Sequence, residues 1–337
     1  MSISPILAAS HLWDSSSPLH SPITRGVLLL TLIALLFTPL ILLLNKKLNK
    51  LTARTVEAIR ERYRTWLFLA PLLLIPILYS PGSAIIAVTI FSLICYREFA
   101  RATGLFRWRD LSALVALAII LINFAAFDSW YNLFLALPPL CIVVFAAYSV
   151  LPDEPRGYLQ RVGLASFAFL FIGVGLAHLS YLANSTEYRP FFCIILLCTQ
   201  ISDLLSFASA KLFNTRPIFR QTTARKTVSG MLVPFFIIAF LSAYLIHIQF
   251  RDTPIDTFWK LATFGIAIAA CAQLGDLVIA SIKRDIGIKD MAGTLPGHGG
   301  FLDRFNSVLL VAPVVFHLLK YFDGLSLNFA QRIFTGQ

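Results

Sequence analysis

Between Gly275 and Arg304 about 30 residues gather the acids Asp276, Asp290 and Asp303, the bases Lys283, Arg284, Lys289 and Arg304, and His298 set among Gly297, Gly299 and Gly300. Carboxylate oxygens are hard ligands suited to Mg²⁺, which seldom takes an all-protein cage and usually shares its shell with substrate phosphates. Lysine and arginine supply counter-charge and the donors that phosphate oxygens need. Glycines allow a backbone at positive φ that presses close to a ligand. Singly, each feature is ordinary: loops carry charge, glycines make turns, and a lone histidine finds a hydrogen bond. Together they read as a phosphate and metal site. Upstream, Asp203, like Asp276, sits within or at the end of an apolar segment, where a carboxylate costs at least about 3 kcal/mol and marks function by default.

The elements that must hold these groups are membrane helices. The chain has 337 residues, 58% of them hydrophobic and only 13% charged, with a mean hydropathy of +0.77. Soluble domains are about a quarter charged, so a secreted or cytosolic globule, a disordered chain and a coiled coil are all excluded. Cys95, Cys141, Cys193, Cys198 and Cys271 lie in or beside apolar runs without CxxC spacing, which supports neither disulfides nor zinc. A net charge of +11 in such a chain points to lipid headgroups and anionic substrates, not to nucleic acid.

With roughly 20 apolar residues per crossing, the pattern predicts an all-α polytopic protein with about ten transmembrane helices. They run from 26 to 45, 66 to 80, 83 to 96, 111 to 127, 132 to 151, 162 to 183, 190 to 210, 231 to 248, 258 to 282 and 306 to 322. The first 25 residues read as a polar tail and not a signal peptide. Helices from 26 to 190 form an N-terminal half, those from 191 to 322 the half carrying the chemistry, and 323 to 337 a tail. Up to Leu151 no intramembrane carboxylate is expected, and the basic loop from Lys46 to Arg64 reads as a topology determinant. Alternate loops collect 22 of the 28 lysines and arginines, which by the positive-inside rule puts both termini outside and the polar loops in the cytosol.

The residues from Lys283 to Phe305 resemble the signature of the phosphatidate cytidylyltransferases, the CDP-diacylglycerol synthases. Lys283, Arg284, Lys289, Asp290, Ala292, Leu295, Pro296, His298, Gly299, Gly300, Phe301, Asp303, Arg304 and Phe305 match in register. Upstream, Gly275-Asp276-Leu277 is similar to the family's G-D-L, and Asp203 with the loop Thr223 to Gly230 is similar to its Asp-led helix and S-P-x-K-T-x-E-G loop. The resemblance covers about Asp203 to Asn306. It implies transfer of a cytidylyl group from CTP to phosphatidate, giving CDP-diacylglycerol and pyrophosphate with Mg²⁺, in a multi-pass protein of a bacterial inner membrane whose site faces the cytosol. A homodimer and a second cation are further implications. By this resemblance Asp276 and Asp290 hold cations, with Asp203 and Asp303 as additional ligands or orienters. Lys226, Thr227, Lys283, Arg284, Gly299, Gly300 and Arg304 bind substrate, and Lys289 contacts phosphate in the catalytic group. His298 either donates to pyrophosphate or locks the glycine loop.

Four positions depart from the family pattern: Ile279 and Ser229 stand where glutamates are usual, Ala280 replaces a serine and Asn306 an aspartate. Fewer carboxylates weaken cation binding or change its stoichiometry, so a degenerate member using another lipid phosphate, or none, is a second reading. A transporter binding a coupling cation at Asp203 and Asp276 is a third, although it expects inverted repeats and polar groups at midplane. The charge asymmetry makes a prediction independent of all three. In a background without native cysteines, a cysteine at Thr294 or Arg225 reacts with impermeant reagents only from the cytosol, and one at Ser185 or Thr253 only from outside. Labelling of Thr294→Cys from the outer face breaks the topology.

Overall fold

The structure is a computed structural model that describes residues 12–13, 19–48, 53–185, 187–213, 215–223, 226–297, 299–323 and 335. In chain order its helices are α1 (Pro22–Leu48), α2 (Ala53–Tyr79), α3 (Pro81–Thr103), α4 (Arg109–Phe127), α5 (Tyr131–Tyr148), α6 (Tyr158–Leu182), α7 (Tyr188–Phe213), α8 (Val228–Gln249), α9 (Phe258–Asp285), the short α10 (Phe301–Phe305) and α11 (Val308–Asp323). The chain is therefore an all-α polytopic membrane protein. Eight of these helices are long and apolar enough to cross a bilayer. The other two expected crossings are helical but fall short for physical reasons. The first part of α2 carries Arg60, Glu61, Arg62 and Arg64, and α11 has only 16 residues. The expected boundary between residues 190 and 191 falls in the first turn of α7.

Local chemistry sets the helix ends. Ser80 caps α3 by accepting from Ser83 N at 3.2 Å while Pro81 occupies the first turn, where a missing N–H is harmless. Ser83 Oγ also donates to Pro76 O at 2.7 Å, satisfying one of the orphan carbonyls that end α2. Inside α6, residues Ala168–Val174 form a π-helical stretch. Outer faces show large apolar side chains such as Leu36, Phe236 and Phe240, as lipid solvation permits.

Helices α7, α8 and α9 lie side by side, α11 packs on α9 and reaches α6, and α3 and α4 pack on α6. Close approach at one crossing positions the chemistry. A Cβ on Gly275 would lie 2.6 Å from Asn306 O and 2.8 Å from Ser307 Cα, so only glycine lets the segment before α11 rest on α9. Ser307 Oγ then donates to Ala272 O at 2.6 Å. Gly275→Ala should overpack this crossing and cost about 1–3 kcal/mol, read as a lower thermal midpoint in detergent. Gly163→Ala, with nothing within 4 Å of its added carbon, should leave the midpoint in place.

Candidate active site

Two clusters of charge form at one end of the bundle, both using α9. In the first, Lys226 Nζ meets Asp276 Oδ2 at 2.8 Å, and Asn306 Nδ2 donates to Asp276 Oδ1 at 3.0 Å. Lys226 is buried. Asp203, on α7, lies with Asp276 and Lys226 close enough to feel both charges, and its Oδ2 is 3.9 Å from an Arg304 guanidinium nitrogen. Arg304 also covers the Trp66 ring, its Cζ 5.4 Å from the centroid. Burial lowers its pKa, Asp203 pulls it back up, and Arg62 adds a like charge. Asp203 to Asp276 is thus a carboxylate pair flanked by two cations and an amide.

The second cluster lies seven residues, about 10 Å, further along α9. Lys283 Nζ contacts Asp303 Oδ1 at 2.7 Å. Asp303 Oδ2 accepts from Met291 N at 2.7 Å and Gly300 N at 3.0 Å. Asp303 is nearly buried and fully used in holding the loop that precedes it. Asp290 is exposed beside Gly299, whose added Cβ would lie 3.1 Å from Asp303 Oδ2 and 3.3 Å from Asp290 Oδ1.

Other expected substrate contacts have different surroundings. Thr227 Oγ1 accepts from Gly230 N at 3.1 Å, capping α8. Arg284 Nε donates to Thr222 O at 3.1 Å, which ties the end of α9 to the loop before Lys226. Lys289 is exposed. His298 lies outside the described residues. Among the described residues no three Asp, Glu, His or Cys side chains gather where one metal ion could be held. The four acids Asp203, Asp276, Asp290 and Asp303 therefore do not form a single ligand set but divide between the two clusters.

A carboxylate that the sequence reading missed organises the glycine loop. Glu98, on α3, is 4% exposed. Its Oε1 accepts from Phe301 N at 3.1 Å and from Thr294 Oγ1, and its Oε2 accepts from Leu302 N at 2.9 Å. An anion at the first amides of a helix is favoured by the helix dipole. A Cβ on Gly300 would collide with Glu98 Oε2, so that glycine admits the carboxylate. The expected crossing from 83 to 96 leaves Glu98 in a loop, whereas α3 runs seven residues past Tyr96 to Thr103 and buries it. The signal was an acid at the end of an apolar run, read as loop. The end of α2 also supports the loop: Thr65 Oγ1 donates to Pro296 O at 2.7 Å, and Glu61 sits against Gly297.

Paired acids with lysine and arginine beside them, at one end of a multi-pass helical bundle, suit the handling of phosphate groups. Sequence comparison makes the assignment specific: the profile of the cytidylyltransferase family matches residues 60–322, and the chain belongs to that family. It is similar to the uncharacterized protein YnbB of Escherichia coli K12, 30% identical over 301 residues, covering 86% of this chain and 97% of that one. It is similar also to the phosphatidate cytidylyltransferase of Staphylococcus haemolyticus, 26% identical with 74% and 95% covered. The Bacillus subtilis protein of that name is 28% identical with 54% and 66% covered.

The Glu98 anchor carries its own prediction. Glu98→Ala leaves three donors without their acceptor, each worth roughly 1–3 kcal/mol when buried. The thermal midpoint should fall by more than for Glu98→Gln, which keeps one carbonyl acceptor. A wild-type midpoint in Glu98→Ala removes the assignment of Glu98 as the loop's anchor.

Proposed function

We propose that the protein transfers a cytidylyl group from CTP to a lipid phosphate, phosphatidate by the names of its relatives, giving a CDP-lipid and pyrophosphate at the cytosolic face of the membrane. The observation that carries this reading is the Asp203 and Asp276 pair with Lys226 and Arg304 beside it, at the edge of a membrane bundle.

The donor set fits a divalent cation. Two hard carboxylates with lysine and arginine alongside suit Mg²⁺ shared with phosphate oxygens and not caged by protein alone. Asp203 and Asp276 would hold it, and Asp290 is the exposed acid left for a second. The bound cation would neutralise charge on the transferring and leaving phosphates.

The chain's own residues do the remainder. A phosphate oxygen of the lipid attacks the α-phosphorus of CTP; the new P–O bond forms as the bond to the β-phosphate oxygen breaks, and pyrophosphate leaves with that electron pair. No protein nucleophile is required, so the work is in-line positioning and charge neutralisation. Lys226 exchanges Asp276 for a phosphate oxygen when substrate arrives, while Asn306 keeps the Asp276 carboxylate oriented. Arg304, stacked on Trp66, presents donors to the phosphate nearest Asp203. Asp303 and Glu98 keep the glycine loop folded, and Lys289 faces incoming anions from its surface.

Purified protein in detergent with Mg²⁺ should convert CTP and phosphatidate to CDP-diacylglycerol, and chelation should abolish turnover. Asp276→Asn and Asp203→Asn should each lower kcat by about 10²-fold or more in protein that still folds, and Asp290→Asn should lower it as well. Near-normal turnover in Asp276→Asn refutes the assignment. CTP binding without turnover on any lipid phosphate supports the degenerate reading instead.

A further inference from the structure

At the end of the bundle opposite both charge clusters, two of the chain's six histidines face one another across two helices. His178 Nε2 on α6 lies 3.3 Å from His317 Nε2 on α11. His178 stands four residues before the end of α6, and His317 six before the end of α11. Lys260, near the start of α9, donates to Phe322 O at 3.4 Å, so this end of α11 meets the part of α9 farthest from Asp276 and Lys283. Tyr131, Lys320 and Tyr321 gather here. Amphipathic aromatics and lysine of this kind mark the membrane–water interface, a depth that aqueous ions reach. His317 is exposed and lines an open cleft of about 660 Å³ with Pro313, Lys320 and Tyr321.

The pair is arranged as ligands are. His178 Nδ1 is 2.7 Å from Val174 O. A carbonyl only accepts, so in the neutral ring Nδ1 carries the proton and the Nε2 lone pair points at His317, which is how a metal-ligating histidine is held. The π-helical stretch Ala168–Val174 ends at that carbonyl, and such stretches accompany functional sites. Edge-to-face contacts with Phe134 and Phe316, their centroids 5.1 and 5.3 Å away, fix the His178 ring. Two imidazole nitrogens bound to one tetrahedral ion at about 2.0–2.1 Å stand about 3.3 Å apart, with ring centroids about 5.2 Å apart. Here the nitrogens are 3.3 Å and the centroids 5.1 Å apart. A straight N–H···N bond of the same length would hold the centroids about 5.6 Å apart. The rings are thus angled as a shared ion requires, and not in line.

We propose that His178 and His317 form a binding site for a divalent transition-metal ion of the Zn²⁺ type, its shell completed by water or an anion from the open cleft. Imidazole suits Zn²⁺ and Cu²⁺ whereas Mg²⁺ takes oxygen ligands, so this site and the carboxylate pair select different ions. The Lys320 ammonium lies 3.1 Å from the Tyr131 ring centroid, and its charge also acts on His317; chloride or hydroxide in the shell offsets that charge. The ion ties α6 to α11 at a second point. The first is Gly175, whose added Cβ would lie 2.7 Å from Leu309 O. Because α11 begins just after Asn306 and Ser307, the ion stiffens the helix behind the amide partner of Asp276.

The test uses the full chain, purified in detergent without a polyhistidine tag and in excess Mg²⁺, which fills carboxylate sites and spares imidazole pairs. Titrated Zn²⁺ should bind at one ion per chain and raise the thermal midpoint. His317→Ala removes an exposed ring; it should weaken this binding at least about tenfold and lose the rise in midpoint. His178→Ala should do the same, and where that buried substitution fails to fold, His317→Ala alone decides. His247→Ala, which alters the separate pair with Asp256, should leave both readings in place. Cu²⁺ bound instead of Zn²⁺ should show nitrogen coupling from two imidazoles in its EPR spectrum, a signature that thiolates and carboxylates do not give. A wild-type chain that binds no Zn²⁺ leaves only a histidine–histidine hydrogen bond and overturns the proposal. Binding of unchanged strength in His317→Ala overturns it too, by assigning the ion to cysteines or acids. Neither result bears on cytidylyl transfer, which the other end of the bundle performs or fails to perform on its own.

Discussion

Backbone amides at the edge of a bilayer must find acceptors, and here two carboxylates supply them. Glu98 takes the amides of Phe301 and Leu302, and Asp303 those of Met291 and Gly300. Four N–H groups of a loop without regular ladder partners are thereby satisfied, which a low-dielectric setting makes costly to leave open. The two acids act from different parts of the chain. Asp303 holds the loop to itself and to Lys283 on α9, while Glu98 pins it to α3, about 200 residues away in sequence. Arg304 follows Asp303 directly and approaches Asp203 from that anchored segment. Removing either acceptor would free the segment that carries the guanidinium.

The charge inventory of the first cluster explains one of the departures from the family pattern. An aspartate at position 306 would face Asp276 as a second anion and would need a cation between them. Asn306 donates its amide instead, at 3.0 Å, so Asp276 has a neutral partner on one oxygen and Lys226 on the other. Ser229 has a similar role: it exchanges hydrogen bonds with Thr215 and reaches Ser209 O at 3.2 Å, fastening the start of α8 to α7. Ile279 is fully buried, where an apolar side chain needs no counter-ion. The lost acids are replaced by groups that satisfy their neighbours locally. This makes a site with fewer negative charges than the family pattern implies.

Much of this was legible in the sequence, for reasons that differ by feature. All ten expected apolar segments are helical because hydrocarbon leaves the backbone little alternative, and a long apolar run announces itself by composition. The charged loop around Asp276 and Asp303 was legible because its residue types are rare together. What escaped was any role set by distance in space. Glu98 sits beside Arg97 at the end of an apolar run, and nothing local distinguishes it from a topology-setting loop charge. Asp303 reads as a metal ligand by type, and its contacts with Lys283 and the amides of Met291 and Gly300 are not visible from type. Thr227 reads as a substrate contact, and its helix-capping bond from Gly230 N is likewise set by the fold. Such assignments depend on which donors the fold brings within 3 Å, and spacing along the chain does not encode that.

The basic start of α2 shows how one segment can serve several demands. Positive charge there suffices to orient the helix in the membrane, and composition alone requires no more. In the fold, however, successive residues face different neighbours: Glu61 sits against Gly297, Arg62 lines the groove between α1, α2 and α7, Thr65 bonds Pro296 O, and Trp66 stacks under Arg304. At 100° per residue, positions 61 and 65 share one face and 62 and 66 the next. One face therefore braces the glycine loop, and the adjacent one borders the groove. Because both faces belong to one rigid helix, a shift of α2 that widens the groove must also move the support beneath Pro296 and Gly297.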